Sequence, residues 1–155
     1  MITLQGILLA FLWSFGASAF FAFSSNMAKY QVVFGGILGA VGWTLYTVFT
    51  ALGTQGEAYF IGAFSVALVS EVLAFFLKNP ATVFLIPGII PIVPGGGIFN
   101  MMRYAVQGNL SDALKTGYDT LIAAGAIALG VALASSLSKI FSVASKKISK
   151  GKVKK

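Results

Sequence analysis

The chain has 155 residues, 57% of them hydrophobic and only 10% charged, with a mean hydropathy of +0.90; soluble domains carry roughly 25% charged residues, so this is the composition of an integral membrane protein. It has no cysteine and no histidine, which excludes disulfides, Cys or His metal centres, thiol nucleophiles and His-based acid–base catalysis. The net charge of +7 is local, because Lys139, Lys146, Lys147, Lys150, Lys152, Lys154 and Lys155 share one end, and only Lys29, Lys78, Arg103 and Lys115 lie elsewhere.

Five apolar stretches reach the roughly 17–25 residues that a membrane-spanning helix needs: residues 2–23, 32–52, 58–77, 80–107 and about 112–137. The expected fold is an all-α integral membrane protein with five transmembrane helices. They form one domain over residues 1–138, followed by a basic tail over residues 139–155. The first stretch contains Ala17-Ser18-Ala19, a sequence of the kind cleaved after a signal peptide. It lacks a basic leading region, however, and its apolar run continues through Phe20, Phe21 and Phe23, so it reads as a retained span.

The lysine-rich tail belongs on the cytoplasmic side by the positive-inside rule, with attraction to anionic lipid as an added role. Five crossings then place the N-terminus outside and the loops with Lys29 and Lys78 inside. The loop with Arg103, Asp112 and Lys115 falls outside. A fourth stretch that re-entered would move Lys29 and Lys78 outside, which fits the charges less well.

In the second stretch, Gly35 and Gly39 form a GxxxG pair, and Ala126 and Gly130 repeat that spacing in the fifth. Such pairs let helix backbones approach closely. Tyr30, Tyr59, Tyr104 and Tyr118 lie near span ends, where interfacial aromatics belong. Trp13 and Trp43 are mid-span, and either fill packing space or line a cavity. The third stretch carries Glu71, six residues before its end, about 9–10 Å inside the membrane. An intramembrane carboxylate is a functional candidate by default. It is either a proton-coupling group or half of an ion pair with Lys78. Ala67 and Ala74 share its face and leave room for a partner helix or water.

The fourth stretch is broken. Prolines recur at 87, 91 and 94, and Pro94 is followed by Gly95, Gly96 and Gly97. Each proline removes a backbone donor and clashes with the preceding turn, and the glycines raise the entropic cost of staying helical. Two half-helices are expected, 80–90 and 98–107, with Asn79 as a cap and the break near the bilayer midplane. Broken backbone inside a bilayer is tolerated only where protein buries it or water reaches it, and transporters hold substrate at such breaks. The second half-helix would offer unpaired N–H groups to a carboxylate, with Asn100 adding a side-chain hydrogen bond. The candidate substrate-binding set is therefore Pro91, Pro94, Gly95, Gly96, Gly97 and Asn100. In the fifth stretch Ser111 and Asp112 suit a helix start. Asp119 lies deeper and is the second proton-coupling candidate, although an interfacial position suits it better than one facing a pathway. The mid-span hydroxyls Thr44, Thr47, Ser65 and Ser70 are expected to bond to their own helix backbones.

The run from Ser70-Glu71 through Asn79-Pro80 to Pro87-Gly-Ile-Ile-Pro91-Ile-Val-Pro94-Gly95-Gly96, with its surrounding five spans, closely resembles the C-terminal membrane domain of the threonine/serine exporter family. The resemblance covers nearly the whole chain. It implies a secondary transporter that exports small hydroxy amino acids. Some members join two membrane domains in one chain and others split them, and this chain is similar to the smaller partner of the split form. The resemblance therefore implies a second membrane subunit like the family's N-terminal half. A half that starts outside and ends inside, paired with one of opposite orientation, would make an inverted-repeat, heteromeric permease in the cell membrane.

A helix N-terminus binds any carboxylate, so a small organic acid such as a dicarboxylate remains an alternative substrate. A third reading is a structural or assembly subunit that touches no substrate. No nucleophile–base pair, phosphate loop or metal constellation points to an enzyme or a cofactor, and the basic tail after a span does not call for nucleic acid.

Overall fold

The computed structural model describes residues 4–53 and 55–152. Among them only helices occur: α1 (Leu4–Ser24), α2 (Lys29–Ala51), α3 (Gln55–Leu77), α4 (Thr82–Ile89), α5 (Gly95–Val106) and α6 (Leu110–Lys152), with one 3₁₀ turn, Ile90–Ile92, extending α4. Four of these are long and apolar enough to cross a membrane, and a fifth span results if the bent pair of α4 with its 3₁₀ turn and α5 counts as one. Helix α6 runs without interruption through the expected boundary at 138, and Lys154 and Lys155 of the basic tail lie outside the described residues.

Successive spans reverse direction, with α4 and α5 counted as one. Phe15 of α1 lies against Gly36 and Ala22 against Gly35. Tyr59 of α3 meets Tyr46 of α2, and Val66 lies over Gly42. The first half of the broken span packs parallel to α2 in a regular register: Pro87 sits on Gly35, Pro91 on Gly39 and Ile92 on Gly42. Two prolines four residues apart thus meet two glycines four residues apart, so the GxxxG pair is the seat of the broken span. A Cβ at Gly35 would lie 2.9 Å from the Pro87 ring, and one at Gly88 would lie 2.8 Å from Val66 and 3.0 Å from Leu38. Phe84, Pro87 and Ile92 are among the most completely buried side chains of the chain. The absence of Cβ atoms turns a proline-rich segment, poor in its own hydrogen bonds, into a tightly packed one.

Helix α6 runs parallel to α3: Thr120 lies beside Tyr59, Gly130 beside Phe60 and Phe64, and Ser138 beside Glu71. At Gly130 the two backbones are so close that a Cβ would be 2.8 Å from the Phe60 carbonyl. Among the described residues helix α5 packs on α6 alone and antiparallel to it, with Met101 against Gly117 and Thr120 against Gly97. A short turn joins them. Gly108, at φ 78°, adopts the left-handed conformation of a Schellman ending, in which Asn109 N–H donates to Tyr104 O at 3.0 Å and Gly108 N–H to Ala105 O at 3.1 Å.

Two capping expectations are corrected. Asn109, not Ser111, caps α6, its Oδ1 accepting from Asp112 N–H at 3.3 Å while its Nδ2 donates to Asp112 Oδ2 at 2.6 Å. Asn79 does not cap α4, because its amide donates to Leu77 O and Tyr30 Oη at 2.9 and 3.0 Å, tying the α3–α4 turn to the start of α2. Trp13 is 77% exposed and faces away from the bundle, whereas Trp43 is half-buried against Tyr46.

Candidate functional site

The span breaks at Val93-Pro94, and the segments on either side meet at 47°. Pro91 cannot donate to Pro87 O, nor Pro94 to Ile90 O, so the backbone tightens into the 3₁₀ turn and then leaves the helical path. Helix α5 restarts earlier than expected, at Gly95 rather than residue 98. The three glycines therefore form its first turn instead of a linker ahead of it. Asn100 moves to the second turn, where it makes no hydrogen bond among the described residues.

The depth of the break also differs from the expectation. Gly88 lies against Val66, midway along α3, whereas Pro94 lies near Gly56 and Tyr59, in the first two turns of that helix. The break is thus displaced from the middle of the bundle toward the α3 N-terminal end. The reason is that α4, continued by its 3₁₀ turn, carries regular structure to Ile92.

A cavity of about 290 Å³ opens at this point. Helix α3 contributes Gly56 and Tyr59, and the break contributes Pro94 and Gly97. One face of α6 supplies Thr116, Asp119, Thr120 and Ala123, at the spacing that places residues side by side on a helix, with Ile122 at the edge. Of the α5 amides, Gly95 N–H donates to Val93 O at 2.7 Å and Gly97 N–H to Pro94 O at 3.2 Å. Gly96 N–H, at the second helical position, has no carbonyl within reach of the helix pattern. A Cβ on Gly95 or Gly96 would meet nothing within 4 Å, whereas one on Gly97 would strike Thr120 Oγ1.

The opposite wall is polar in another way. Thr120 Oγ1 donates to Thr116 O at 2.6 Å, which spends its proton and leaves its lone pairs as acceptors. The Tyr59 and Tyr46 hydroxyls share one hydrogen bond of 3.2 Å, so one of their two protons remains for a ligand. Trp43, Tyr46 and Tyr59 stack in series at centroid distances of 4.9 and 4.6 Å, which fixes the Tyr59 ring. Asp119 makes no hydrogen bond or ion pair among the described residues.

The residues expected from the sequence thus divide. Pro94, Gly97 and Asp119 converge on the cavity, whereas Gly95 and Gly96, between the first two in the chain, are not among its lining residues. Pro91 packs on Gly39, where a Cβ would lie 3.3 Å from its ring, and Asn100 is not among the residues that line the cavity. Glu71 lies elsewhere. Its Oε2 accepts from Ser138 Oγ at 3.2 Å, not from Lys78, whose positive φ of 52° ends α3. Along α6, Ser138 is about 27 Å from Thr120 at 1.5 Å per residue. The two acidic candidates therefore sit near opposite ends of the α3–α6 pair. Ala67, on the Glu71 face, is fully buried. Tyr59, Thr116 and Thr120 were not anticipated. The 116–119–120–123 spacing was the available signal, but nothing in the sequence tells which face of α6 meets the break.

Residues 10–137 match the family described as Threonine/Serine exporter, ThrE. The match takes in the whole broken span, every residue of the cavity, and Glu71. No curated protein and no solved structure matches the chain.

Proposed function

We propose, since the chain belongs to the threonine/serine exporter family, that it is a membrane subunit of a secondary exporter of small hydroxy amino acids and that the cavity at the break holds the solute. The observation that carries this reading is the cavity itself. It brings Pro94 and Gly97 of the broken span together with hydroxyls and a carboxylate from α3 and α6, and the unpaired Gly96 amide precedes Gly97 in the chain. The Gly96 amide would receive the solute carboxylate at the positive end of the α5 dipole, and the glycines permit the close approach.

Five crossings are supported by helix direction. A re-entrant α4–α5 pair would return α6 antiparallel to α3, and the two run parallel. With the basic tail inside, the N-terminus and the cavity mouth face outward. Among the described residues helix α5 touches α6 alone and buries none of its residues. Its free flank, with Phe99 and Met102 exposed, suits a second membrane subunit of inverted orientation. Lys139 and the lysines after it form the cytoplasmic tail.

Glu71 is the candidate for coupling. Its distance from the cavity means that it would act through movement of α3 against α6 and not by contact with the solute. Glu71→Gln keeps an acceptor for Ser138, so the variant is expected to accumulate in the membrane at wild-type levels and to lose efflux driven by a proton gradient. Efflux that still responds to the imposed gradient would remove Glu71 from the coupling path.

The founding test uses a strain lacking this chain, loaded with threonine- and serine-containing dipeptides. Intracellular threonine, serine and small dicarboxylates are followed in one extract. Selective retention of threonine or serine, relieved by restoring the gene, is the expected result. Retention of dicarboxylates alone would move the substrate to organic acids, and retention of neither would favour an assembly subunit.

A further inference from the structure

We propose that Asp119 recognises the ammonium group of the transported solute, which makes the cavity a site for zwitterionic amino acids and not for dianionic organic acids. The inference rests on the cavity being the substrate site, and it adds the residue that sets specificity there.

Three observations carry it. First, among the described residues Asp119 is the one carboxylate that lines the cavity, and no lysine or arginine lines it. A second carboxylate on the solute would meet like charge with no cation to offset it. Second, Asp119 has no partner among the described residues. Lys115, one turn earlier on the same helix and within i,i+4 reach, does not pair with it and does not line the cavity. Its oxygens are therefore free to accept from an ammonium. Third, the walls are of opposite hydrogen-bonding character. The α6 wall presents acceptors, the Asp119 carboxylate and a Thr120 hydroxyl whose proton is already used. The α3 wall presents a donor, the hydroxyl of Tyr59, which accepts from Tyr46 and keeps its own proton. A solute bearing an ammonium and a carboxylate on one carbon matches both walls in a single orientation. The cavity has room for roughly ten waters, which accommodates a small amino acid with part of its hydration.

The test exploits the absence of cysteine from the chain. Ile122→Cys places a lone thiol at the cavity edge, and its alkylation is followed on the full chain in native membranes. Thr116→Cys repeats the measurement from a second position. The probes are threonine, threoninol (the ammonium without the carboxylate) and 2,3-dihydroxybutanoate (the carboxylate without the ammonium). Threonine and threoninol are expected to slow alkylation, and 2,3-dihydroxybutanoate is not. Adding Asp119→Asn should raise the half-protecting threonine concentration about tenfold to a hundredfold, the worth of one charge-assisted hydrogen bond. Asp119→Glu should restore part of the protection. Equal protection by 2,3-dihydroxybutanoate, or protection indifferent to Asp119→Asn, would overturn the proposal. So would the absence of protection by any probe in a chain whose deletion still causes threonine retention, and export itself would then stand. Threoninol protection that depends on Asp119, in a chain whose deletion retains neither threonine nor serine, would uphold the ammonium site and reject the hydroxy amino acids as its cargo.

Discussion

Gly42→Leu is expected to prevent the chain from accumulating as a folded membrane protein. A Cβ at this position alone would strike Val66 Cγ2 and lie 2.9 Å from Ile92 Cδ1. Neither neighbour can retreat: Val66 and Ile92 are each 1% exposed. Across the junction, a Cβ on Gly62 would already lie 3.1 Å from the Gly42 carbonyl. Overpacking a sealed core costs typically 1–3 kcal/mol and occasionally more, and leucine here drives three further carbons into the contact of α2, α3 and the 3₁₀ turn. A loss of about 3 kcal/mol is expected, a large share of what a domain of this size has to lose. The measurement is the fraction of detergent-extracted chain that remains monodisperse on heating. A Gly42→Leu chain as heat-resistant as the wild type would mean that the broken span is not seated on α2 as described.

The opposite outcome is expected at Gly96. Its Cβ would meet nothing within 4 Å, so Gly96→Val should leave stability within about 0.5 kcal/mol of the wild type, as surface substitutions usually do. Efflux should nevertheless fall about tenfold or more, because branched carbons beside the free amide keep a carboxylate from reaching it, and a lost hydrogen bond to a charged group is worth about 1.5–3 kcal/mol. The measurement is the threonine efflux rate from dipeptide-loaded cells, normalised to the amount of chain in the membrane. Normal efflux would show that the amide does not touch the solute. A loss of chain in step with the loss of efflux would point to an assembly role. The glycines of this protein thus belong to two groups with different tasks. Those at 35, 39, 42 and 88 admit neighbouring atoms, whereas those at 95 and 96 leave backbone open.

The same division separates what could be read from the residues in order from what could not. That the chain lies in a membrane as helices, that residues 80–107 cannot form one regular span, and that the family is that of the threonine/serine exporters were all legible in the sequence. They depend on local properties: apolar length, the missing N–H of proline, and a specific string around Pro87, Pro91 and Pro94. The GxxxG pair at Gly35 and Gly39 was legible as a close contact, but its occupant was not. The partner proved to be Pro87 and Pro91, 52 residues away in each case.

Only the tertiary structure decided which acidic residue joins the break. In the sequence Glu71 was the first acidic candidate and Asp119, better suited to an interface, the second, because helical periodicity reports depth along an axis and not the neighbour across it. The parallel packing of α3 on α6 brings Asp119 to Pro94 and Gly97 and leaves Glu71 with Ser138, about 27 Å along α6. That packing is set by Gly130, where the absence of a side chain lets α6 approach the backbone of Phe60 and Phe64. The start of α5 at Gly95 was likewise beyond local reasoning. Three glycines in isolation disfavour a helix, but here the Gly97 backbone fits against Thr120, and packing against α6 recovers what propensity loses.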